Sequence, residues 1–123
     1  MKFYCDGSGW NGESASICVV DADGKKFIKS FKDDSLTNNS VEYMAVIKAC
    51  EMASDEDIVY TDSLLVVQQA AGQWRCKPRH LRILNRQLKA LIKEKSIDLN
   101  WISRDNNPAG KLLEKKPIID TED

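Results

Sequence analysis

Three acidic residues stand at positions from which they could share metal ions: Asp6, Glu42 and Asp62. Asp6 ends the first predicted strand, Asp62 ends the fourth, and Glu42 lies in the first turn of the helix predicted between them. Carboxylates that meet without a counter-charge repel one another, and this repulsion raises their pKa values. A pair of Mg²⁺ ions about 3.5–4 Å apart would relieve the repulsion and supply a catalytic mechanism in an all-oxygen site.

Each acid also has an ordinary structural interpretation, which the sequence leaves open. Asp6 precedes a Gly-Ser pair and could form a turn. Glu42 could be the capping-box partner of Asn39, and Asp62 could be the N-cap of the following helix. The metal-site hypothesis therefore depends on all three acids occurring together at consistent places in the topology.

The predicted elements would bring these acids to one edge of a sheet. The predicted strands cover residues 2–6, 15–20, 26–31, 57–61 and 97–102, and the predicted helices cover 41–53, 64–71, a longer stretch from Pro78, and 108–115. Three hairpin-connected strands followed by two helix-connected parallel strands predict an α/β fold, a five-stranded mixed sheet flanked by helices. In such sheets, ligands bind beyond the carboxyl ends of adjacent parallel strands.

The length of 123 residues fits one domain, which we expect to cover residues 1–116. Beyond Pro117 the periodicity stops, so residues 117–123 are predicted to form a mobile tail. Apolar stretches are too short to cross a bilayer, and the start of the chain turns polar too soon for a secretory signal. A cytoplasmic location is therefore expected.

The cysteines predict neither a zinc site nor a disulfide framework. The four cysteines form no C-x-x-C pair, and His80 is the one imidazole in the chain. That spacing matches no structural zinc motif and no small secreted scaffold. We therefore expect all four to be reduced and structural; they are Cys5, Cys18, Cys50 and Cys76.

Positive charge is concentrated in one segment of the chain. The net charge is −1, yet residues 75–95 contain eight Lys or Arg and one Glu, whereas residues 1–74 contain six Lys or Arg and twelve Asp or Glu. This asymmetry is typical of a surface that contacts phosphates. A solvated helix face is the alternative interpretation.

Three short motifs resemble the core signatures of type 1 ribonuclease H. They read Tyr-Cys-Asp-Gly-Ser at 4–8, Thr-Asn-Asn-Ser-Val-Glu at 37–42 and Tyr-Thr-Asp-Ser at 60–63, in that order. The resemblance extends from residue 2 to about residue 114 and includes the stretch 101–104 with the following Asn107. The short stretch 72–77 replaces the longer basic protrusion of some members, so the chain is most similar to the compact, archaeal-like subgroup.

The resemblance implies a ribonuclease H-like fold and an activity. A type 1 ribonuclease H is an endonuclease that hydrolyses the RNA strand of an RNA/DNA hybrid by a two-metal-ion mechanism, leaving 5′-phosphate and 3′-hydroxyl ends. Asp6, Glu42 and Asp62 would be the catalytic residues and would hold two Mg²⁺ ions, with Mn²⁺ as a substitute. The implied partner is the hybrid, with no membrane and no obligate protein partner, and a monomer is expected.

The resemblance also implies contacts with the substrate. Asn38 and Asn39 resemble minor-groove contacts, where amides and 2′-hydroxyls distinguish RNA from DNA. Ser63 and Trp74 look like positions that line the DNA-strand channel, although packing at a helix end is an equal alternative for Trp74. The expected substrate-binding residues are Gly7, Ser8, Asn38, Asn39, Ser63, Trp74, Arg75, Lys77 and Arg79.

The chain departs from the family pattern at one acidic position. Gly110 stands where the family has a fourth metal-ligating aspartate, and the histidine that some members carry in the preceding loop is missing. Asp105 or Glu114 could compensate, the three acids could suffice, or the protein could be a hybrid-binding module with weak or no catalysis. A further hypothesis keeps the fold but changes the substrate, as in the exonucleases and integrases that share this architecture.

Overall fold

The computed structural model describes the backbone of residues 1–120 and the side chains of residues 1–114. Five strands form one sheet in the order β3-β2-β1-β4-β5. The strands are β1 (Lys2–Ser8), β2 (Ala15–Asp21), β3 (Lys26–Phe31), β4 (Ile58–Thr61) and β5 (Asp98–Trp101), and the helices are α1 (Asn38–Met52), α2 (Leu64–Ala70), α3 (Arg79–Lys95) and α4 (Pro108–Asp120). The first three strands pair antiparallel, and β4 pairs parallel with both β1 and β5, so the predicted five-stranded mixed sheet is confirmed.

A tight turn between β2 and β3 sets the antiparallel part of the sheet. The Asp21 carboxylate accepts hydrogen bonds from the backbone N–H groups of Asp23 and Lys25, each at 2.9 Å. Gly24 has a φ of +86°, the left-handed conformation that favours glycine. The hairpin predicted at this position is therefore present.

Helices cover both faces of the sheet. The main core lies between the sheet and α1 with α3, and a smaller core, which contains Cys18, Val20, Ala109 and Leu113, lies under α4. Since both of its faces are covered, β2 is buried along its whole length. No helix within residues 1–120 is long and apolar enough to span a membrane.

All four cysteines are free, as predicted, and three of them are buried. Burial is the main cause that raises the pKa of the Cys18 thiol to about 11 and that of Cys50 to about 12. These two thiols therefore stay protonated at neutral pH and act as small packing groups.

The first strand is longer than predicted, and this changes the position of Asp6. Gly7 and Ser8 continue the ladder opposite Ile17 and Ser16, so Asp6 lies inside β1 and not at its end. A Gly-Ser pair favours a turn, but pairing with β2 keeps Gly7 and Ser8 extended.

The first helix also begins earlier than predicted. The Thr37 side chain accepts a hydrogen bond from the backbone N–H of Ser40 at 3.2 Å, so Thr37 is the N-cap and α1 starts at Asn38. Glu42 consequently lies one turn into the helix, and its predicted place in the first turn is wrong.

The last helix runs beyond the predicted end at residue 115. Apolar periodicity shows where a helix packs, which does not have to be where it stops, and α4 reaches Asp120. Residues 121–123 lie outside the described part of the chain, so the division into a domain and a mobile tail stays a prediction.

Candidate active site

Asp6, Glu42 and Asp62 converge at the sheet edge where the sequence predicted a site. Each offers a carboxylate oxygen, and these three atoms lie within 4.8 Å of one another. Asp6 is in β1, and Asp62 directly follows β4, the parallel neighbour in which Thr61 pairs with Cys5. Within the described residues, this is the one group of acids, histidines or cysteines close enough together to hold a metal ion.

A glycine allows α1 to bring the third acid to the strand. A Cβ atom at Gly7 would lie 2.5 Å from the Val41 carbonyl oxygen and 2.9 Å from the Glu42 backbone nitrogen, far inside van der Waals contact. Only a residue without a side chain lets the strand and the helix approach this closely. Gly7 therefore holds Glu42 beside Asp6.

The ordinary structural interpretations of the three acids do not hold. Asp6 is a strand residue and forms no turn. The N-cap of α1 is Thr37, so Glu42 is not a capping-box partner of Asn39. The N-cap of α2 is Ser63, whose side chain accepts from the Val66 N–H, and not Asp62.

Crowding of negative charge changes the acidity of two of these carboxyl groups. Burial, together with the nearby carboxylates of Asp62 and Glu42, raises the pKa of Asp6 to about 7. Burial also raises the pKa of Glu42, although a hydrogen bond from Ser63 acts against that shift. Arg104 lowers the pKa of both groups, so a guanidinium lies near the cluster.

The three carboxylates fit a hard divalent cation. Two oxygens on opposite sides of one Mg²⁺, with bonds of about 2.1 Å, are about 4.2 Å apart. The observed limit of 4.8 Å is close to that span, and the donor set consists of oxygen alone. A cation at this place would also replace the proton that the raised pKa of Asp6 favours.

Gly110 faces the acids directly. A Cβ atom at this position would lie 3.5 Å from Oδ2 of Asp6 and 3.6 Å from Oδ2 of Asp62, which is ordinary van der Waals contact. Position 110, where the family pattern has a fourth aspartate, therefore faces the three acids and has room for a Cβ atom.

The two acids considered as substitutes for that position lie elsewhere. The Glu114 carboxylate accepts a hydrogen bond from Nε of Arg104 at 3.0 Å, in an exposed ion pair. Asp105 lines a groove together with Lys2 and Lys111. Neither belongs to the group of three acids, and their predicted compensating role finds no support in this arrangement.

Asn107 is a site residue whose role the sequence did not reveal. Its side chain is fully buried, and Nδ2 donates to Oδ2 of Asp62 at 3.1 Å and to the Cys5 carbonyl at 3.0 Å. Its Oδ1 accepts from the Ala109 N–H at the start of α4. The available signal was an asparagine before proline, which predicts a helix start but not a contact with an acid.

Most of the expected substrate-binding residues are exposed, but some are buried. Asn38 and Asn39 are exposed at the start of α1, and Oδ1 of Asn38 accepts from the Gly9 N–H at 2.8 Å. Ser63 is only 6% exposed, whereas Trp74 is 44% exposed. Further exposed positions are Ser8, Arg75, Lys77 and Arg79.

A mixed sheet in this strand order, with three acids at one edge, defines the ribonuclease H class of folds. The RNase H family model matches residues 1–110. The chain therefore belongs to the RNase H family, and the resemblance seen in its motifs is confirmed.

Solved structures of the same family are similar to most of the chain. The N-terminal RNase H domain of Rv2228c from Mycobacterium tuberculosis, solved as a fusion with maltose-binding protein, is 26% identical with a TM-score of 0.73, covering 91% of this chain and 93% of that one. LC11-RNase H1, solved in complex with an RNA/DNA hybrid, is 27% identical with a TM-score of 0.71 and 91% coverage of both chains. RNase H1 of the halophilic archaeon Halobacterium salinarum shares the fold at 23% identity, with a TM-score of 0.75 and coverage of 96% and 97%.

The curated relatives are longer than this chain. The bifunctional protein Rv2228c of Mycobacterium tuberculosis is 36% identical over 76 residues, which are 58% of this chain and 21% of that protein. An uncharacterised protein of Mycobacterium bovis matches to the same extent. The matched region is therefore about a fifth of each relative's length.

Proposed function

We propose that this protein is an endonuclease that hydrolyses the RNA strand of RNA/DNA hybrids by a two-metal-ion mechanism. The convergence of Asp6, Glu42 and Asp62 within 4.8 Å carries the proposal. Membership of the RNase H family supports it, as does the hybrid bound to the similar LC11-RNase H1. The products would carry 5′-phosphate and 3′-hydroxyl ends.

The three acids would hold two divalent ions, Mg²⁺ or, as a substitute, Mn²⁺. Such ions supply an activated water and stabilisation of the leaving 3′ oxygen when they are bound. Asn107 fixes the orientation of the Asp62 carboxylate by donating to its Oδ2. Glu42 is held beside Asp6 by the close approach at Gly7.

The hybrid would lie across the exposed start of α1 and the basic residues around the start of α3. Asn38 keeps its amide N–H₂ free of the contact that its Oδ1 makes with Gly9, so it can donate to an acceptor in the minor groove. Gly7, Ser8, Ser63 and Trp74 remain proposed contacts of the same substrate, and Arg75, Lys77 and Arg79 would contact its phosphates.

A second candidate function is hybrid binding with weak or absent catalysis. The observation that favours it is Gly110, which faces two of the acids and offers no ligand. This alternative predicts salt-sensitive affinity for the hybrid without turnover in either Mg²⁺ or Mn²⁺.

A labelled RNA/DNA hybrid tests the proposal. We expect Mg²⁺-dependent internal cuts in the RNA strand, while single strands and duplex DNA stay intact. Asp6→Asn and Asp62→Asn should each abolish the cuts, and Asp23→Asn, in the exposed β2–β3 turn, is the matched control. Full activity of both site variants would refute the assigned site, and stepwise trimming from an end would indicate an exonuclease.

We also propose a cytoplasmic monomer, which sedimentation and cell fractionation can check.

A further inference from the structure

Three cationic side chains line one surface pocket next to the start of α3. The pocket has a volume of about 420 Å³ and is lined by Arg75, Cys76, Lys77 and Arg82. Among the residues whose side chains are described, none of these three cations takes part in an ion pair. Like charges gathered without a counter-ion create a positive potential that attracts anions. The pocket therefore suits a phosphate group.

A buried set of polar side chains connects this pocket to the first helix. Tyr43 in α1 has no exposed surface, and its hydroxyl donates to Oε1 of Gln69 in α2 at 2.7 Å. The same hydroxyl accepts from Nδ2 of Asn85 in α3 at 3.0 Å. Gln69 in turn donates through Nε2 to the backbone carbonyl of Arg75 at 3.1 Å. We refer to these three side chains as the Tyr43 network.

The Tyr43 network reaches the elements on both sides of the pocket. Gln69 holds the main chain at Arg75. Asn85 lies three residues after Arg82 on α3, so the side chains of Asn85 and Arg82 project from neighbouring positions of that helix. The turn before Arg75 has a separate attachment, since the Gln68 carbonyl accepts from the Trp74 N–H at 3.2 Å. The Gln69 contact therefore extends the fixed part of the segment to the first pocket residue.

A buried polar network needs a reason to exist in place of apolar packing. Buried hydroxyl and amide groups are tolerated only when they are hydrogen-bonded, and apolar residues of similar volume would fill the same space without that demand. What a fully bonded network adds is a defined geometry between the elements that it joins. Here those elements are α1, α2 with its following segment, and α3.

We propose that the Tyr43 network positions a phosphate-binding pocket formed by Arg75, Lys77 and Arg82. The proposal rests on the proposed function, because the phosphate would belong to the backbone of the bound hybrid. Tyr43 directly follows Glu42 on α1, so one helix bears both an acid of the candidate active site and the hydroxyl that fixes the pocket. The network thereby sets the distance between the bound phosphate and the acids.

Removal of single polar groups tests the positioning role. Tyr43→Phe deletes the hydroxyl and keeps the ring, and Gln69→Met deletes the contact with the Arg75 carbonyl. We expect both variants to raise the Kd and KM for the hybrid about fivefold, with kcat within twofold, since one fixed contact is lost in binding. Trypsin should also cut faster after Arg75, because the segment loses its attachment. This cleavage reports on the segment without any nucleic acid.

Ile97→Val is the matched control, since Ile97 is buried just before the amino end of β5, whereas the acids lie at the carboxyl ends of the parallel strands. It should lower the melting temperature and leave Kd, KM and the cleavage rate unchanged, which separates positioning from general stability. Wild-type values of Kd, KM and cleavage rate in both Tyr43→Phe and Gln69→Met would overturn the proposal. Faster cleavage with unchanged affinity would also overturn it, because the segment would then not contact the hybrid.

The pocket itself is tested by Arg82→Gln. This variant should raise the Kd for the hybrid and reduce its salt dependence, whereas Arg86→Gln, exposed one turn later on α3, should change both less. Equal effects of the two would contradict the pocket. If the wild-type protein binds no hybrid at all, the proposed function is wrong, and the trypsin comparison then decides the ordering role alone.

Discussion

The buried amide of Asn107 donates to Oδ2 of Asp62 at 3.1 Å, although the two residues are 45 positions apart in the chain. The same side chain starts α4 and reaches the Cys5 carbonyl in β1, next to Asp6. One asparagine thus joins the last helix to the Asp62 carboxylate and to the strand residue that precedes Asp6. Its contacts imply that the geometry of the acids depends on α4, even though no acid among the described side chains of α4 belongs to the cluster.

Asn107→Ala should weaken both folding and metal binding. The variant loses the N-cap of α4 and the donor to Asp62, so we expect the free energy of unfolding to fall by about 2 kcal/mol. The Mg²⁺ concentration for half-maximal activity should rise roughly tenfold. Urea denaturation and a metal titration measure the two effects. Asn106→Ala, exposed and one residue earlier, is the control, and equal metal requirements in both variants would argue against orientation of Asp62.

Gly110→Asp should restore a fourth ligand. The new Cβ would be 3.5 Å from Oδ2 of Asp6, so the added carboxylate starts beside the cluster. We expect half-saturation at a roughly tenfold lower Mg²⁺ concentration and lower stability in EDTA, because a fourth negative charge adds repulsion. Gly110→Asn separates charge from size. If Asp and Asn behave alike in the Mg²⁺ titration, the missing acid does not limit metal binding.

The stability of the metal-free protein should fall as the pH rises from about 4 to about 7. The pKa of Asp6 is about 7 in the folded protein and 3.8 at its ordinary value, so the folded state binds the extra proton within that window. This stabilisation is complete below the ordinary pKa of the group and is lost as the pH rises through its pKa in the folded protein. Urea denaturation in EDTA at pH 5 and pH 8 measures the change. Asp6→Asn should reduce the difference, and an unchanged difference would assign the pH dependence to another group.

Lys95→Met should destabilise the protein without changing its metal requirement. Nζ of Lys95 donates to the carbonyls of Cys50, Glu51 and Ala53 at 2.9, 3.0 and 2.9 Å, where α1 ends. Loss of this charged cap should reduce the free energy of unfolding by about 2 kcal/mol. Lys93→Met, exposed in the same last turn of α3, provides the control in thermal denaturation. A similar loss in both variants would mean that the three contacts contribute nothing specific.

Much of the fold could be predicted because its signals are local. Apolar periodicity and turn residues such as the Asp-Gly pair at 23–24 gave the element order, and the strand-end rule placed Asp62 correctly. The acids could be grouped because parallel neighbours end at the same edge of a sheet. The end of β1 was predicted at Asp6, two residues too early, because pairing with β2, a tertiary effect, outweighed the turn preference of Gly7 and Ser8.

The supporting contacts could not be predicted, because they join distant parts of the chain. Asn107 and Cys5 are 102 positions apart, and Tyr43 and Asn85 are 42 positions apart. Nothing in the local pattern around Tyr43 distinguishes a hydroxyl that bonds to two helices from one that simply reaches solvent. The same holds for Arg104, whose influence on Asp6 depends on how the turn before α4 lies over the sheet.

The tight packing at Gly7 restricts what protein engineering can do with this scaffold. Even alanine would force the strand and helix apart, since its methyl carbon would overlap the Val41 carbonyl oxygen. In a saturation library, position 7 should tolerate no replacement whatever its polarity, and computational redesign should leave this residue untouched. A new substrate specificity will have to come from changes at the exposed residues around the acids, since β1 and α1 are too close together at Gly7 to accept a larger side chain.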